Sequence, residues 1–158
     1  MDLGIAGRTA LIAASSQGLG LACATSLARE GVTVWLNGRD RQRLGQAADA
    51  LVAAVPTASV RWVAADLTVP EGRAAIRAAV PDVDILVTNN AGPRPGSYDQ
   101  WDEAALLGAM HANMIPAVEL MRAYLPGMRA RRFGRIVNIT SAMVKSPAAD
   151  MGLSPSAR

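Results

Sequence analysis

The chain has 158 residues, 51% of them hydrophobic and 18% charged, which is enough for one domain with a sizeable core and excludes disorder. Sixteen basic against thirteen acidic residues give a net charge of +3, too balanced for charge to imply a nucleic-acid partner. The single cysteine, Cys23, cannot form an internal disulfide and reads as a buried, inert thiol of a cytoplasmic protein; the amino terminus has no basic-then-apolar leader, and no apolar run approaches the ~20 residues of a membrane span.

In chain order, strand-like runs are expected at Thr9 to Ala14, Val32 to Asn37, Val60 to Ala65, Ile85 to Thr88 and Arg135 to Thr140. Helices are expected between them at Gly18 to Glu30, Arg41 to Ala54, Glu71 to Val80 and, as a long pair or a bent unit, Asp102 to Arg131. That alternation is the βαβ rhythm of a parallel sheet, and the nearly continuous apolar strands suit a sheet covered on both faces. Gly31, Pro56, Pro81 and Gly134 punctuate the joins. Arg129, Arg131, Arg132 and Arg135 bracket a helix end, where cations complement the helix dipole and face water. Pro116 lacks the amide that would bond the carbonyl of Ala112, so the long helical unit should bend beside Asn113 and leave carbonyls free for water.

Two segments carry chemistry. Ala13-Ala14-Ser15-Ser16-Gln17-Gly18-Leu19-Gly20 is a small-residue strand-to-helix turn whose helix N-terminus can hold a pyrophosphate. Asn89-Asn90-Ala91-Gly92 follows the fourth strand directly, where small residues let backbone approach a dinucleotide. Together they read as an NAD(P)-binding, Rossmann-type α/β fold: a doubly wound parallel sheet with helices on both faces, in the strand order 3-2-1-4-5.

On these residues the chain resembles the short-chain dehydrogenase/reductase family, and within it the 3-oxoacyl-carrier-protein reductases. The family's turn is Thr-Gly, three residues, Gly, any, Gly; here Ala13-Ala14 stand in the first two places and Gly18 and Gly20 are kept. The resemblance implies cofactor contacts from Ala14, Ser16, Gln17, Gly18, Leu19, Gly20 and Asn37, an adenine-reading pair at Asp66 and Leu67, and a ribose wall at Asn90, Ala91 and Gly92. At the end of the second strand Gly38 takes the place of an acid that would accept from a free ribose 2′-hydroxyl, and Arg39, whose guanidinium suits a phosphate monoester, follows. NADP is therefore expected over NAD, with Asp40 the residue that argues the other way.

The family's reaction centre is an Asn-Ser-Tyr-Lys set. The resemblance puts Asn113 and Ser141 in the first two places, with Ser154 in the tyrosine place and Arg158 in the lysine place. Lys145 is the sole lysine, and no Tyr-x-x-x-Lys occurs. A serine is a far weaker acid than a phenol of pKa about 10. Tyr98 and Lys145, in loops near the expected site, remain open as substitutes, whereas His111 faces away from Asn113 and Tyr124 lies too far along the helix.

The implied reaction is hydride transfer at a small-molecule carbonyl or alcohol, with a substrate that acyl carrier protein could present, no nucleic acid, no membrane and no metal. The alternative is a cofactor-binding pseudoenzyme or regulatory protein with little turnover. The family's proteins continue beyond a fifth strand, so residues 1–158 read as one Rossmann domain incomplete at its carboxyl end, with the fifth strand an uncovered edge and a homo-oligomer formed by the full-length protein.

Overall fold

The apolar runs pair into a single parallel sheet in the order β3-β2-β1-β4-β5, the order expected from the sequence. The strands of this computed structural model, which describes residues 2–158, are β1 (Thr9–Ile12), β2 (Thr33–Gly38), β3 (Val60–Ala64), β4 (Ile85–Thr88) and β5 (Arg135–Asn138). The helices are α1 (Gly18–Arg29), α2 (Arg41–Ala54), α3 (Pro70–Ala79), α4 (Glu103–Ala112), α5 (Met114–Ala130) and the short α6 (Leu153–Ser156). β1 lies at the centre, with Ile12 aligned to Leu36 on one side and Val87 on the other.

Alternation along β1 sets the two layers of core. Ala10 and Ile12 pack with Ala24 and Ala28 of α1 and Leu44 and Leu51 of α2; Leu11 packs on the opposite face with Ile76 of α3 and Leu120, Tyr124 and Met128 of α5. Each fully buried Leu or Ile contributes roughly 1.5–3 kcal/mol. Cys23 is half-buried against the first of these layers, less enclosed than expected. β5 has helix cover on one side at most, and Val137 is 49% exposed at this edge.

Helix starts follow local chemistry. Asp40 caps α2 by accepting from the amides of Gln42 (2.9 Å) and Arg43 (3.1 Å), and Asp102 caps α4 by accepting from Ala105 (2.8 Å). Pro70 opens α3, where a missing amide costs nothing.

Several boundaries differ from the sequence reading. β1 stops at Ile12 rather than Ala14 because Ala14 turns to φ 45°, outside the strand region. β5 likewise stops at Asn138, short of Thr140. The unit from Asp102 to Arg131 is two helices meeting at Asn113, which ends α4 and precedes α5 at φ −119°, ψ −56°. Pro116 then falls at the third position of α5, where its amide has no intrahelical partner to lose. The carbonyl of Ala112 is not left free: the Asn90 side chain donates to it.

The expectation that no run approaches a membrane span also needs correction. Glu103–Ala130 covers 28 residues and contains an 18-residue window of mean hydropathy 1.3, long and apolar enough by length and composition to cross a membrane. His111, Asn113, Glu119 and Arg122 interrupt the stretch, so it contains no continuous apolar run of that length. In the fold it is α4 followed by α5, and the inner face of α5, with Leu120, Tyr124 and Met128, covers the sheet.

The sheet order reverses between β1 and β4. The strand ends diverge there, leaving a crevice at their carboxyl ends.

Candidate active site

A cleft of about 490 Å³ opens at that reversal, and its walls include Ala14, Ser16, Gln17, Gly18 and Leu19 from the first turn, Asn37 and Arg39 from the end of β2, Asp66 and Leu67 after β3, and Asn90 and Ala91 after β4. Gly20 lies buried beneath the turn, and Gly92 stands just outside the walls.

The turn's glycines act for different reasons. Gly18, which lines the cleft, sits at φ +59°, a left-handed conformation that favours glycine, with open space where a Cβ would point. At Gly20 a Cβ would lie 2.6 Å from the carbonyl oxygen of Ala14 and 2.8 Å from Cα of Ser15. Glycine here lets α1 press against the turn. The N-terminus of α1 carries no side-chain cap, leaving its first amides for a ligand.

Beneath the turn is a buried polar cluster. Ser15 is 0% exposed: its amide donates to the carbonyl of Asn37 (2.7 Å), and its hydroxyl donates to the carbonyl of Ile12 (2.7 Å) while accepting from the amide of Asn37 (3.0 Å). Asn37 Nδ2 donates to the carbonyls of Val63 (3.2 Å) and Ala65 (3.1 Å). The Asn37 side chain therefore bridges β2 to β3, and its donors are committed to backbone rather than to a ligand. Asn89, which the motif contained but the predicted contacts omitted, donates from Nδ2 to the carbonyl of Ala14 (3.1 Å) and joins β4 to the turn.

Charges converge at the outer end. Arg39 Nη1 lies 4.0 Å from Asp66 Oδ2, and Arg43 Nε lies 3.6 Å from Asp40 Oδ2. Asp66 Oδ1 accepts from the amide (2.8 Å) and hydroxyl (2.7 Å) of Thr68. The Thr68 amide bond is the main cause holding the Asp66 carboxyl below its ordinary pKa, with the Thr68 hydroxyl and the Arg39 charge adding to it against the opposing effect of burial. Asp40, the residue that argued for NAD, is committed as the cap of α2. Arg43 and Thr68 also line the cleft and were not singled out from sequence. Their spacing was the available signal: Arg43 falls three residues after a capping aspartate, and Thr68 two after Asp66.

The four residues in the reaction-centre places are not gathered in one wall. Asn113 lines an adjoining, mostly apolar cavity of about 170 Å³, and its Nδ2 donates back to the carbonyl of Ala109 (3.1 Å). Ser141 Oγ accepts from the amide of Met143 (3.2 Å) at the head of a 3₁₀ turn, which leaves its hydroxyl hydrogen available to donate. Ser154 is 3% exposed inside α6 and lines neither cavity. Arg158 lines both: Nη1 donates to the carbonyl of Thr140 (2.9 Å) and Nη2 to that of Asn90 (3.1 Å), bridging the ends of β5 and β4. Partial burial lowers its pKa from the ordinary guanidinium value. A Cβ on Gly92 would lie 3.0 Å from Arg158 Nη2, so a glycine there gives the guanidinium room.

Tyr98 is 82% exposed, and Lys145 is exposed as well. Tyr124 donates its hydroxyl to the carbonyl of Val80 (2.9 Å), and burial raises its pKa to about 12, so it is a packing residue remote from the cleft.

A family model described as short chain dehydrogenase matches residues 8–153. The uncharacterized oxidoreductase YvaG of Bacillus subtilis is 34% identical over 151 residues, covering 96% of this chain and 57% of that protein. Among solved structures, L-sorbose reductase from Gluconobacter frateurii, complexed with NADPH and L-sorbose, superposes with a TM-score of 0.90 at 33% identity, covering 98% of this chain and 60% of that one. A 3-oxoacyl-(acyl-carrier-protein) reductase from Agrobacterium tumefaciens with NADP bound gives a TM-score of 0.87 at 28% identity, covering 97% and 60%. The chain spans about half the length of the curated relatives it matches. It belongs to the short-chain dehydrogenase family.

Proposed function

From membership of the short-chain dehydrogenase family we propose that the cleft takes NADP(H) and that the whole protein transfers hydride between this cofactor and a small carbonyl or alcohol, most nearly as a 3-oxoacyl-carrier-protein reductase does. One observation carries the cofactor reading. Asp40, the acid nearest the end of β2, is bound to its own helix, while Arg39 stands 75% exposed on the cleft wall with donors to offer a 2′-phosphate.

The residues present fit a dinucleotide. The open side of Gly18, the uncapped amides of α1 and the close approach allowed by Gly20 make a cradle for the pyrophosphate, and Asp66 Oδ2, which takes no hydrogen bond from Thr68 and has Arg39 4.0 Å away, beyond hydrogen-bond range, is the carboxylate oxygen that can accept from an adenine amine. When bound, the nicotinamide ring supplies or accepts the hydride. Ser141 donates its hydroxyl to the substrate carbonyl, and Arg158 keeps positive charge at the ribose end of the cleft. The α4–α5 pair exposes Leu107, Met114, Val118 and Leu125, a surface suited to a homo-oligomer of the full-length protein in the cytoplasm.

A second reading rests on Ser154. The residue in the tyrosine place is a buried hydroxyl outside both cavities, which favours a cofactor-binding protein with little turnover.

Fluorescence titration tests the first step: Arg39→Ala should weaken NADPH by about 1.5–3 kcal/mol, the value of a charge-assisted contact, and leave NADH nearly unchanged. Equal losses for both cofactors would remove Arg39 from the 2′-phosphate. Reduction of acetoacetyl thioesters by the full-length protein separates the two readings.

A further inference from the structure

We propose that Arg43 is a specificity-determining residue of the cleft: a second cation for the 2′-phosphate, held in position by Asp40. Asp40 then supports the phosphorylated cofactor instead of reading a free ribose hydroxyl. The inference rests on the NADP(H) reading above and adds to it a residue that no sequence motif assigned.

Three features of the outer cleft support it. First, Ser16, Gly38, Arg39, Asp40 and Arg43 share one wall, which brings the end of β2 and the first turn of α2 to the same space. A Cβ at Gly38 would meet Leu44 at 3.4 Å and Ser16 Oγ at 3.5 Å, ordinary contact distances, so a side chain at position 38 would stand between Ser16 and Leu44, and glycine there leaves this wall without an acid.

Second, the Asp40 carboxylate is neutralised where it stands. Oδ1 accepts from the amides of Gln42 and Arg43, and Oδ2 faces Arg43 Nε at 3.6 Å. An unpaired carboxylate at this wall would repel a phosphate dianion; a carboxylate carrying two helix amides and a guanidinium does so far less.

Third, the contact between Arg43 and Asp40 runs through Nε, and neither Nη group of Arg43 has a hydrogen-bond partner among the described residues. Arg39 contacts Asp66 at 4.0 Å, beyond hydrogen-bond range. Two guanidinium groups thus present unbonded donors to one space, each steered by an aspartate. A phosphate monoester offers three acceptor oxygens, enough for both forks. Both Arg43 and Asp40 are more than half exposed, so water screens the pair and the effect of Arg43 should be smaller than that of Arg39.

The test titrates NADPH and NADH by fluorescence against the full-length protein and its Arg39→Ala, Arg43→Ala and Arg43→Lys variants, with 2′,5′-ADP and 5′-AMP as competitors. Arg43→Ala should weaken NADPH and 2′,5′-ADP by roughly three- to tenfold while NADH and 5′-AMP stay within about twofold, as expected for a partly screened charge-assisted contact. Arg43→Lys, which keeps the charge but loses the fork, should fall between. The ratio of 2′,5′-ADP to 5′-AMP affinity is internal to each variant, so a reduced folded fraction cannot imitate the effect. If Arg43→Ala leaves that ratio unchanged while Arg39→Ala lowers it, the role of Arg43 is overturned and the NADP(H) reading stands. If neither variant lowers the ratio, or the unaltered full-length protein binds no NADPH, both fall together.

Discussion

At the β1–β3 end of the cleft, Ser15, Asn37, Thr68 and Asp66 satisfy one another and the neighbouring backbone through short bonds, with Ser15 and Asn37 essentially inaccessible to water. At the β5 end, Ser141 heads a three-residue turn, Arg158 reaches across to two carbonyls, and the residue in the tyrosine place is tucked into a four-residue helix. The first end is a rigid frame made largely of backbone and amide groups. The second is held by fewer bonds, and Ser154 stands where the family resemblance puts a tyrosine. Binding a dinucleotide asks mainly for amides, open space and close approach, whereas the chemistry asks for one acid of the right strength. The two ends can therefore differ in how completely they are formed within the same chain.

The strongest way to break the frame is at Gly20. Gly20→Val would drive carbon atoms into the Ala14 carbonyl and Ser15 Cα, both backbone and neither able to swing aside. The expected outcome is a loss of about 3 kcal/mol or more in urea unfolding, together with loss of NADPH binding.

Next is Asn37→Leu. The change removes the donors to the part-buried carbonyls of Val63 and Ala65, so a destabilisation of about 1–3 kcal/mol is expected. Unchanged stability would mean that the link from β2 to β3 is carried by the ladder alone. Asn37→Asp should be no better, because a carboxylate cannot donate to those carbonyls.

Arg158→Ala probes the looser end. Two bonds to half-exposed carbonyls are lost, and about 1–2 kcal/mol is the expected cost. Its effect on NADPH affinity should exceed that of Ser141→Ala, since Arg158 lines the cleft and Ser141 does not. The opposite order would move the reaction centre closer to the turn after β5.

Tyr124 lies outside both ends and supplies a control. Burial raises its pKa to about 12, so the stability it contributes is complete below the unfolded value of about 10 and is lost as pH rises through about 12. Tyr124→Phe should remove that alkaline transition from tyrosinate absorbance and cost about 1 kcal/mol through the lost bond to Val80, without changing cofactor affinity.

The family, the strand order and the turn were legible in the sequence because each rests on a local rule. Small residues after an apolar run mark a close approach, and uninterrupted apolar strands mark a sheet covered on both faces. The break at Asn113 was legible as a bend at Pro116, but the partner that takes the freed carbonyl was not. Asn90 is 22 residues away in sequence, and nothing local to either residue signals the bond.

Tertiary structure alone decided what the polar residues do. Asn37 looks from sequence like a cofactor contact at a strand end, yet its donors go to carbonyls 26 and 28 residues further on, because parallel pairing brings β3 beside it. Asp40 argued from sequence for a free ribose hydroxyl, and the start of α2 committed its carboxylate to the amides of Gln42 and Arg43. Ser154 occupied the tyrosine place by counting, but the packing of α6 turned it away from both cavities. Composition and periodicity determine which backbone elements form and which faces they bury, since those depend on near neighbours and on average hydrophobicity. Which amide meets which carbonyl across the sheet depends on distances between segments far apart in the chain, and only the assembled fold sets them.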